Sequence, residues 1–175
     1  MAGPSRNLVS TTPSEASIAG LDSFHFLDND LGDYAAILAD YTAQRSALGY
    51  TIYGQVTNES GYACVQYWFF YAYNDHSVNQ HEGDWEMIEV ILNTAGNPIM
   101  AAYSQHFMGE SANWSDVETT DNTHPNVYVA KGSHANYFRP YEGKLGLASD
   151  EVGNDGFQLA HDNGDLSLVL LTTQP

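Results

Sequence analysis

The chain has 175 residues, 43% of them apolar, which is enough for one domain with a packed core. Its 22 acidic residues against 5 basic ones give a net charge of −17. That charge repels phosphate backbones, excludes nucleic acid as a partner and disfavours direct docking on an anionic membrane. No apolar run reaches the ~18 residues of a transmembrane segment. The acidic balance fits a secreted, extracellular or salt-adapted protein.

The first predicted elements are a flexible arm and a helix. Residues 1–20 are rich in Ser, Thr, Pro and Ala and predict an arm or linker, which leaves 21–175 as a single domain. Apolar residues at helical spacing predict a helix over 33–48, with Asp33 as its N-cap and Gly49 at its end.

The rest of the chain predicts β-structure. Six segments are rich in β-branched or aromatic residues and are bounded by Gly, Asn, Pro or Asp. The turn-rich residues 93–98 predict an antiparallel hairpin between the third and fourth segments. The fold class is therefore mainly β, a single-domain antiparallel β-sandwich with one or few helices. The predicted strands are 50–57, 62–73, 85–92, 99–106, 126–130 and 166–172.

Two further features have structural interpretations. Cys64 is the single cysteine, so no intrachain disulfide forms, and its apolar neighbours indicate a buried, inert thiol. Residues 150–165 are acidic and Gly-rich, lack the spacing of a calcium-binding helix–loop–helix motif and predict a solvated loop.

The run His81-Glu82-Gly83-Asp84-Trp85-Glu86 contains three candidate metal ligands just before an apolar strand. Alternation along the strand places Asp84 and Glu86 on one face, with Ile88, Val90 and Leu92 beyond them. The hairpin brings His106, which shares a face with Met100, Ala102 and Ser104, to the same end.

A metal site is the functional interpretation of this cluster. Imidazole with carboxylate suits zinc, manganese or iron, and carboxylate with water suits magnesium or calcium, so the divalent metal (Mg, Mn, Zn or Ca) stays open. A solvated acidic rim with hydrogen-bonded histidines is the structural alternative. The candidate ligands are Asp75, His81, Asp84, Glu86 and His106.

A second cluster follows a short predicted strand and ends in a Gly-Ser-His turn. Ser133 and His134 are adjacent and cannot easily pair with each other, whereas a Ser133–His106 pair is geometrically open. No Gly-x-Ser-x-Gly elbow supports a serine hydrolase. His134 could be a ligand, a general acid or base, or a residue that stabilises the turn.

Four motifs in order resemble the vacuolar protein sorting sixty-two family over roughly residues 53–140. That resemblance implies no established chemistry. The motifs are the aromatic run 67–74, the segment 81–86, Tyr103-Ser104-Gln105-His106 and residues 124–137.

A more distant resemblance is to the necrosis- and ethylene-inducing-like cytolysins, whose heptapeptide is Gly-His-Arg-His-Asp-Trp-Glu. His81, Asp84, Trp85 and Glu86 match it, and His106 matches the histidine of a Tyr-Ser-x-His element. The resemblance implies a lectin-like β-sandwich whose cavity holds a divalent ion and engages the sugar of a sphingolipid head group.

Two functions follow. The first is a metal-dependent binding module for a small-molecule, glycan or lipid head-group ligand, with Trp85, Ser104 and Ser133 as ligand contacts. The second is a metal-dependent hydrolase of a phosphoester or ester, with His134 or Glu86 as general acid or base.

Overall fold

We describe the fold from a computed structural model that covers residues 33–145, 149–154 and 166–171, with single positions 16, 31, 156 and 159. The described residues form one α-helix of regular length, twelve strands and a 3-10 turn at Trp114–Asp116. The helix α1 is Tyr34–Leu48. The strands are β1 Tyr50–Glu59, β2 Tyr62–Asn74, β3 His81–Leu92, β4 Pro98–Gln105, β5 Met108–Asn113, β6 Thr119–Thr120, β7 His124–Pro125, β8 Tyr128–Val129, β9 Asn136–Tyr137, β10 Tyr141–Leu145, β11 Asp150–Val152 and β12 Leu166–Leu170.

The helix has the ends that the sequence predicts. The Asp33 carboxylate accepts a hydrogen bond from the Ala36 N–H at 2.8 Å, and Gly49 ends the helix at φ 64°. Among the apolar residues of α1, Ile37 is buried, whereas Tyr34, Leu38 and Tyr41 are exposed. The helix therefore contributes little to the core.

One six-stranded sheet, in the order β12-β1-β2-β3-β4-β5, forms the main layer. All its pairings are antiparallel except β1 with β12, which is parallel. The β3–β4 hairpin is confirmed, and Asn93 organises its turn: its carboxamide oxygen accepts from the N–H groups of Ala95 and Asn97. The mainly β fold class is thus confirmed.

The second layer of the sandwich is made of three two-stranded ribbons and the loops between them. It covers the β3–β4 part of the sheet, where Ile88, Ala101, Tyr103, Val117 and Phe138 form the main core cluster. A smaller cluster joins Ala130, Ala135 and Val152. The main core lies directly below the end of β3 that carries the acidic residues.

Three sequence predictions need correction. β3 begins at His81, so this histidine is in the strand rather than in the loop before it, because it pairs with Asn74 at the end of β2. The predicted strand 126–130 is shorter in the structure and covers only Tyr128–Val129. It ends there because a tight turn follows, in which the Ala130 N–H donates to the Ala135 carbonyl at 2.9 Å. The shared face predicted for Met100, Ala102, Ser104 and His106 breaks after Ala102. Ala101 and Tyr103 pair with Val90 and Ile88 in the core, so Met100 and Ala102 face away from it, whereas Ser104 bonds the buried Glu86 and His106 bonds the buried Asp150.

The predicted arm 1–20 lies outside the described residues apart from position 16, and the domain boundary at 20–21 stays a prediction. Within the described part of the chain, no helix has the length and apolar character needed to cross a membrane.

Candidate functional site

The candidate site lies at the end of the sheet where β2 finishes and β3 begins. Asp84 and Glu86 are buried on the inner face of β3, as strand alternation predicts. Tyr71 and Phe69, their partners on β2, share that face. The turn through Ser133 and His134 lies over this end, and Asp150 at the start of β11 lies beside it.

Asp84 is the centre of the first hydrogen-bond network. Its Oδ2 lies 3.0 Å from Nδ1 of His134 and accepts from the Asn74 carboxamide at 3.1 Å. Asn74 also donates to the Ser133 carbonyl, which ties the loop to the sheet. The His134 ring stacks on Tyr71 with the planes 1° apart and the centroids 4.0 Å apart. His134 is thus held on two sides.

His81 approaches the other oxygen of Asp84. Its Nε2 lies 3.5 Å from Asp84 Oδ1, and its Nδ1 lies 2.8 Å from the Asn79 carbonyl oxygen. A carbonyl oxygen only accepts, so Nδ1 must carry the proton in this bond. When the ring is neutral, Nε2 therefore presents a lone pair toward a carboxylate oxygen.

Asp150 is the centre of the second network and is 1% exposed. Its Oδ1 accepts from the Ser133 hydroxyl at 2.5 Å, and its Oδ2 accepts from the Tyr137 hydroxyl at 2.7 Å. His106 Nε2 lies 2.8 Å from the same Oδ2. The solvated-loop prediction for 150–165 is therefore wrong at Asp150, because three donors compensate the cost of burying its charge. Asp155, Asp162 and Asp165 lie outside the described residues.

The hydrogen bonds of Asp150 also determine whether Ser133 and His106 can form a serine–histidine pair. Both side chains bond to Asp150, so the carboxylate lies between the hydroxyl and the imidazole. His106 cannot take the Ser133 proton directly in this arrangement. A relay from serine to histidine needs those two groups in contact.

Glu86 is the third buried carboxyl, 4% exposed, and it accepts from the Ser104 hydroxyl. The β3–β4 pairing ends at Ile88 and Tyr103, so Ser104 lies just beyond it and its hydroxyl reaches Glu86. The Ser104 hydroxyl oxygen also accepts a hydrogen bond from the Met87 N–H at 2.9 Å. Burial raises the pKa of Glu86 to about 7; the Ser104 bond opposes the rise, and the charges of Asp84 and Asp150 add to it.

The two aspartates behave in the opposite way. Burial acts to raise their pKa values, but the bonds from His134 and Asn74 outweigh it at Asp84, and those from Ser133, Tyr137 and His106 outweigh it at Asp150. Both pKa values lie below the usual range, so both groups are ionised at neutral pH. The site therefore carries two fixed negative charges and a third carboxyl that is easily protonated.

Backbone strain concentrates in the same place. Six non-glycine residues among those described have positive φ, and three of them, His106 (57°), His134 (59°) and Ser149 (61°), border the two networks. Such conformations cost about 1 kcal/mol or more each and persist where surrounding contacts enforce them. Their clustering supports a functional role for this end of the sheet.

The structure separates the five predicted metal ligands. His81 and Asp84 face each other, whereas His106 bonds Asp150 and Glu86 bonds Ser104. Asp75, just past β2, accepts from the Gln80 side chain at 2.9 Å. Over the described ranges, no three His, Cys, Asp or Glu side chains are arranged to hold a metal ion. The five-ligand centre stays a prediction, with two of its members already side by side.

Trp85 lies on the opposite face of β3 from Asp84 and Glu86. It is 51% exposed and packs against Phe70 and Tyr53, with ring centroids 4.9 and 5.5 Å away. A ligand seated on Asp84 therefore does not reach it. Ser133 and Ser104 do lie in the site, but their hydroxyls bond Asp150 and Glu86.

Sequence reasoning missed Asn74, Tyr71, Tyr137 and Asp150. Tyr71 stands in the aromatic strand β2, where its alternation with the exposed Phe70 was a usable signal for the inner face. Asn74 has the same parity as Phe70, so alternation along β2 does not predict its place in the site. Nothing local marks Asp150 or Tyr137, since their partners are distant in sequence.

Hollows border the described residues at the helix and beside the end of the sheet. One of about 310 Å³ lies between α1 and β1, around Thr42, Arg45 and Tyr50, and none of its lining residues belongs to the cluster of Asp84, Glu86 and Asp150. Another, of about 190 Å³, adjoins that cluster on its outer side.

No protein-family model matches the chain, and no curated protein does. Solved structures that resemble it include NLPPya in complex with glucosamine, with 17% identity, a TM-score of 0.47 and coverage of 68% of this chain and 51% of that one. A structure described as a toxin fold for microbial attack and plant defense has 20% identity, a TM-score of 0.47 and coverage of 68% and 51%. Necrosis and Ethylene inducing Protein 2, from the causal agent of cocoa's Witches Broom disease, has 15% identity, a TM-score of 0.45 and coverage of 67% and 50%.

The chain thus spans about half the length of the solved structures it matches. They belong to the necrosis- and ethylene-inducing group that the sequence resembles distantly. The resemblance to the vacuolar protein sorting sixty-two family stays a prediction.

Proposed function

We propose that this protein is a binding module that recognises a polar ligand, a glycan or a phosphate-bearing head group, through a divalent cation held by His81 and Asp84. The observation that carries the proposal is the pair itself. Nε2 of His81 and Oδ1 of Asp84 are 3.5 Å apart, and the His81 Nδ1–H is committed to the Asn79 carbonyl. Two lone-pair groups facing each other attract a cation between them, unless the imidazole carries both protons.

The surroundings of the pair support the proposal. Metal-binding histidines commonly donate their second N–H to a carbonyl or carboxylate, which fixes the tautomer, and His81 does so. Asp84 is oriented in the same way by His134 and Asn74. A cation with two protein ligands keeps open positions for water and for ligand hydroxyl or phosphate oxygens. An imidazole among the ligands favours manganese or zinc over magnesium or calcium.

Glu86 supplies the electrostatic reason for a cation. Its raised pKa reflects burial beside the negative charges of Asp84 and Asp150. A divalent cation at His81 and Asp84 would stabilise the ionised form of Glu86 as well. Binding would therefore release protons near neutral pH.

Titration with Mn²⁺, Zn²⁺, Mg²⁺ and Ca²⁺, followed by calorimetry and thermal unfolding, tests the proposal. We expect saturable binding that Asp84→Asn and His81→Ala each weaken by more than about tenfold, since each removes one of two ligands. Asp121→Asn makes the same chemical change in an exposed remote turn and should bind as the parent does. Equal binding by Asp84→Asn and the parent would refute the cation site. Glycan-array binding with metal, and its loss with chelator, tests the ligand class.

A hydrolase is the second candidate, and the Asp84–His134 pair favours it. With Nδ1 bonded to Asp84, the His134 Nε2 is placed to accept a proton from a water. Ser133 donates to Asp150 instead of to an imidazole, so the nucleophile would be a metal-activated water. Metal-dependent turnover of chromogenic phosphodiesters or esters that His134→Ala abolishes would establish this function. Metal binding without turnover would exclude the hydrolase and support the binding module.

A further inference from the structure

We propose that the open edge of β12 pairs with the same edge of a second copy of this chain, antiparallel and about a twofold axis. β12 covers Leu166–Leu170 and is the end strand of the six-stranded sheet, paired with β1 on one side. Among the described residues, no strand pairs with its other side. An edge strand of this kind leaves main-chain N–H and C=O groups available to another strand.

The main-chain groups that face the open edge belong to the leucines of β12. Just after β12, the Leu171 N–H donates to the Gly54 carbonyl of β1 at 2.7 Å. Main-chain groups alternate in direction along a strand, so those of Val169 also face β1, whereas those of Leu168 and Leu170 face away from it. Leu166 follows the same alternation. These three leucines therefore provide the donors and acceptors that a further strand needs.

The side chains of the same leucines lie on the inner face of the sheet. The register joins Leu168 through Ile52 of β1 to Phe69 of β2, which lies on that face. The second layer covers the inner face over β3 and β4, but Leu168 and Leu170 are each more than half exposed. Pairing of two β12 edges would remove part of this apolar surface from water.

Charge favours a second copy at this edge over the rest of the surface. Residues 166–173 contain no charged side chain, although the chain has a net charge of −17. On the inner face beside them, the even-numbered positions of β1 and the odd-numbered positions of β2 are also uncharged. Like charges that meet across a twofold axis oppose association, so a surface that pairs with itself must be free of them. The opposite edge of the sheet, β5, carries Glu110 and does not meet this condition.

The sequence of β12 is also complementary to itself. When Leu168 lies opposite Leu168 of the second copy, Leu166 lies opposite Leu170 on both sides of the axis. This register joins the outward-facing main-chain groups of the two strands and places all their leucines on one face. A shift of one residue would put the leucines of the two copies on opposite faces, so it is disfavoured. A twofold contact closes on itself, and the product is therefore a dimer.

Sedimentation of the full chain in EDTA, between about 1 μM and about 1 mM, tests the proposal. We expect a monomer–dimer equilibrium. EDTA excludes association through a metal ion, so this outcome is independent of the cation site at His81 and Asp84. Leu168→Lys should weaken the dimer at least about tenfold, because it places two ammonium groups opposite each other at the axis.

Met108→Lys is the matched control. It makes the same change of charge at an exposed apolar residue on the opposite edge of the sheet. The dimer should keep its affinity within about twofold of the parent, because Met108 is remote from β12. Circular dichroism establishes that both lysine variants are folded.

A cysteine variant tests the register and does not depend on the lysine variants. Cys64 is the single cysteine, so Cys64→Ser gives a background without thiols. In an antiparallel pair, directly opposite Cα atoms are about 4.5–5.5 Å apart, which is within the range of a disulfide. Leu168→Cys in this background should therefore form a covalent dimer on mild oxidation, whereas Met108→Cys should stay monomeric.

Four results would overturn the proposal. They are a monomer at every concentration, equal weakening by Leu168→Lys and Met108→Lys, assemblies that grow beyond a dimer, and failure of Leu168→Cys to cross-link more than Met108→Cys. The first would mean that the β12 edge is covered by another segment of the chain or by a different partner. The third would mean that the contact does not close about a twofold axis.

Discussion

Glu86→Gln should make the metal-free protein more stable at alkaline pH, because this carboxyl is ionised there at a cost. The side chain is 4% exposed and lies near the charges of Asp84 and Asp150. Glutamine keeps the size of the side chain and an oxygen that can accept from Ser104, but it carries no charge. The substitution therefore isolates the electrostatic cost of Glu86.

The pKa of Glu86 sets the sign and the size of the effect. Its folded-state pKa of about 7 lies above the ordinary 4.5. Between these values the folded protein keeps a proton that the unfolded chain releases, so stability falls as pH rises through this window. Above pH 7, ionised Glu86 lowers the free energy of unfolding by its full amount, about 3 kcal/mol. About 2 kcal/mol of this decrease develops between pH 5.5 and pH 8.

Urea unfolding in EDTA at pH 5.5 and pH 8 measures this cost. Both pH values lie above the isoelectric point of about 4.3, so the protein carries a net negative charge at each of them. The stability of Glu86→Gln relative to the parent should rise by about 2 kcal/mol from the lower to the higher pH. Glu89→Gln, on the opposite face of the same strand, controls for the loss of one negative charge. If the stability difference between Glu86→Gln and the parent is the same at both pH values, burial and the charges of Asp84 and Asp150 do not raise the pKa of Glu86, and the reasoning is wrong.

Two further perturbations test the frame of the site. Asp150→Asn should lower the free energy of unfolding at pH 7 by about 3 kcal/mol, because the charge is lost and the amide N–H₂ faces either the Ser133 donor or the donors of Tyr137 and His106. Denaturant unfolding checks it, and because the pKa of Asp150 is lowered, the loss should shrink as pH falls below about 4. Gly132→Ala should cost about 1 kcal/mol, because Gly132 has φ +82° while a Cβ there meets Asp75 only at an ordinary 3.5 Å. Gly96→Ala, at φ +79° with open space around it, carries the same backbone cost, so a much larger loss of melting temperature at Gly132 would point to displacement of the Asp75 backbone rather than to backbone strain.

Much of the fold was predictable because its causes are local. Apolar residues at helical spacing, Asp33 and Gly49 give α1 its position and both its ends. Asn93 and Gly96 close the hairpin between β3 and β4. Alternation along β3 places Asp84 and Glu86 on the inner face and Trp85 on the outer one. Each of these features depends on residues within a few positions of one another.

The partners inside the site were not predictable in this way. Asp150 bonds His106, 44 residues away, and Ser133, 17 residues away. His134 bonds Asp84 across 50 residues. In the sequence Asp150 begins an acidic stretch that predicts solvation, and only the donors brought by β4, β9 and the Ser133 turn allow its burial.

The sequence alone determined that this chain is an acidic, mainly β protein with carboxylates and imidazoles at the start of one buried strand. It determined this because residue type and alternation are properties of the local chain. The tertiary structure decided which of those groups meet: His81 and His134 with Asp84, and His106 with Asp150. Those pairings depend on strand register and on loop crossings between distant segments, and no local pattern encodes them.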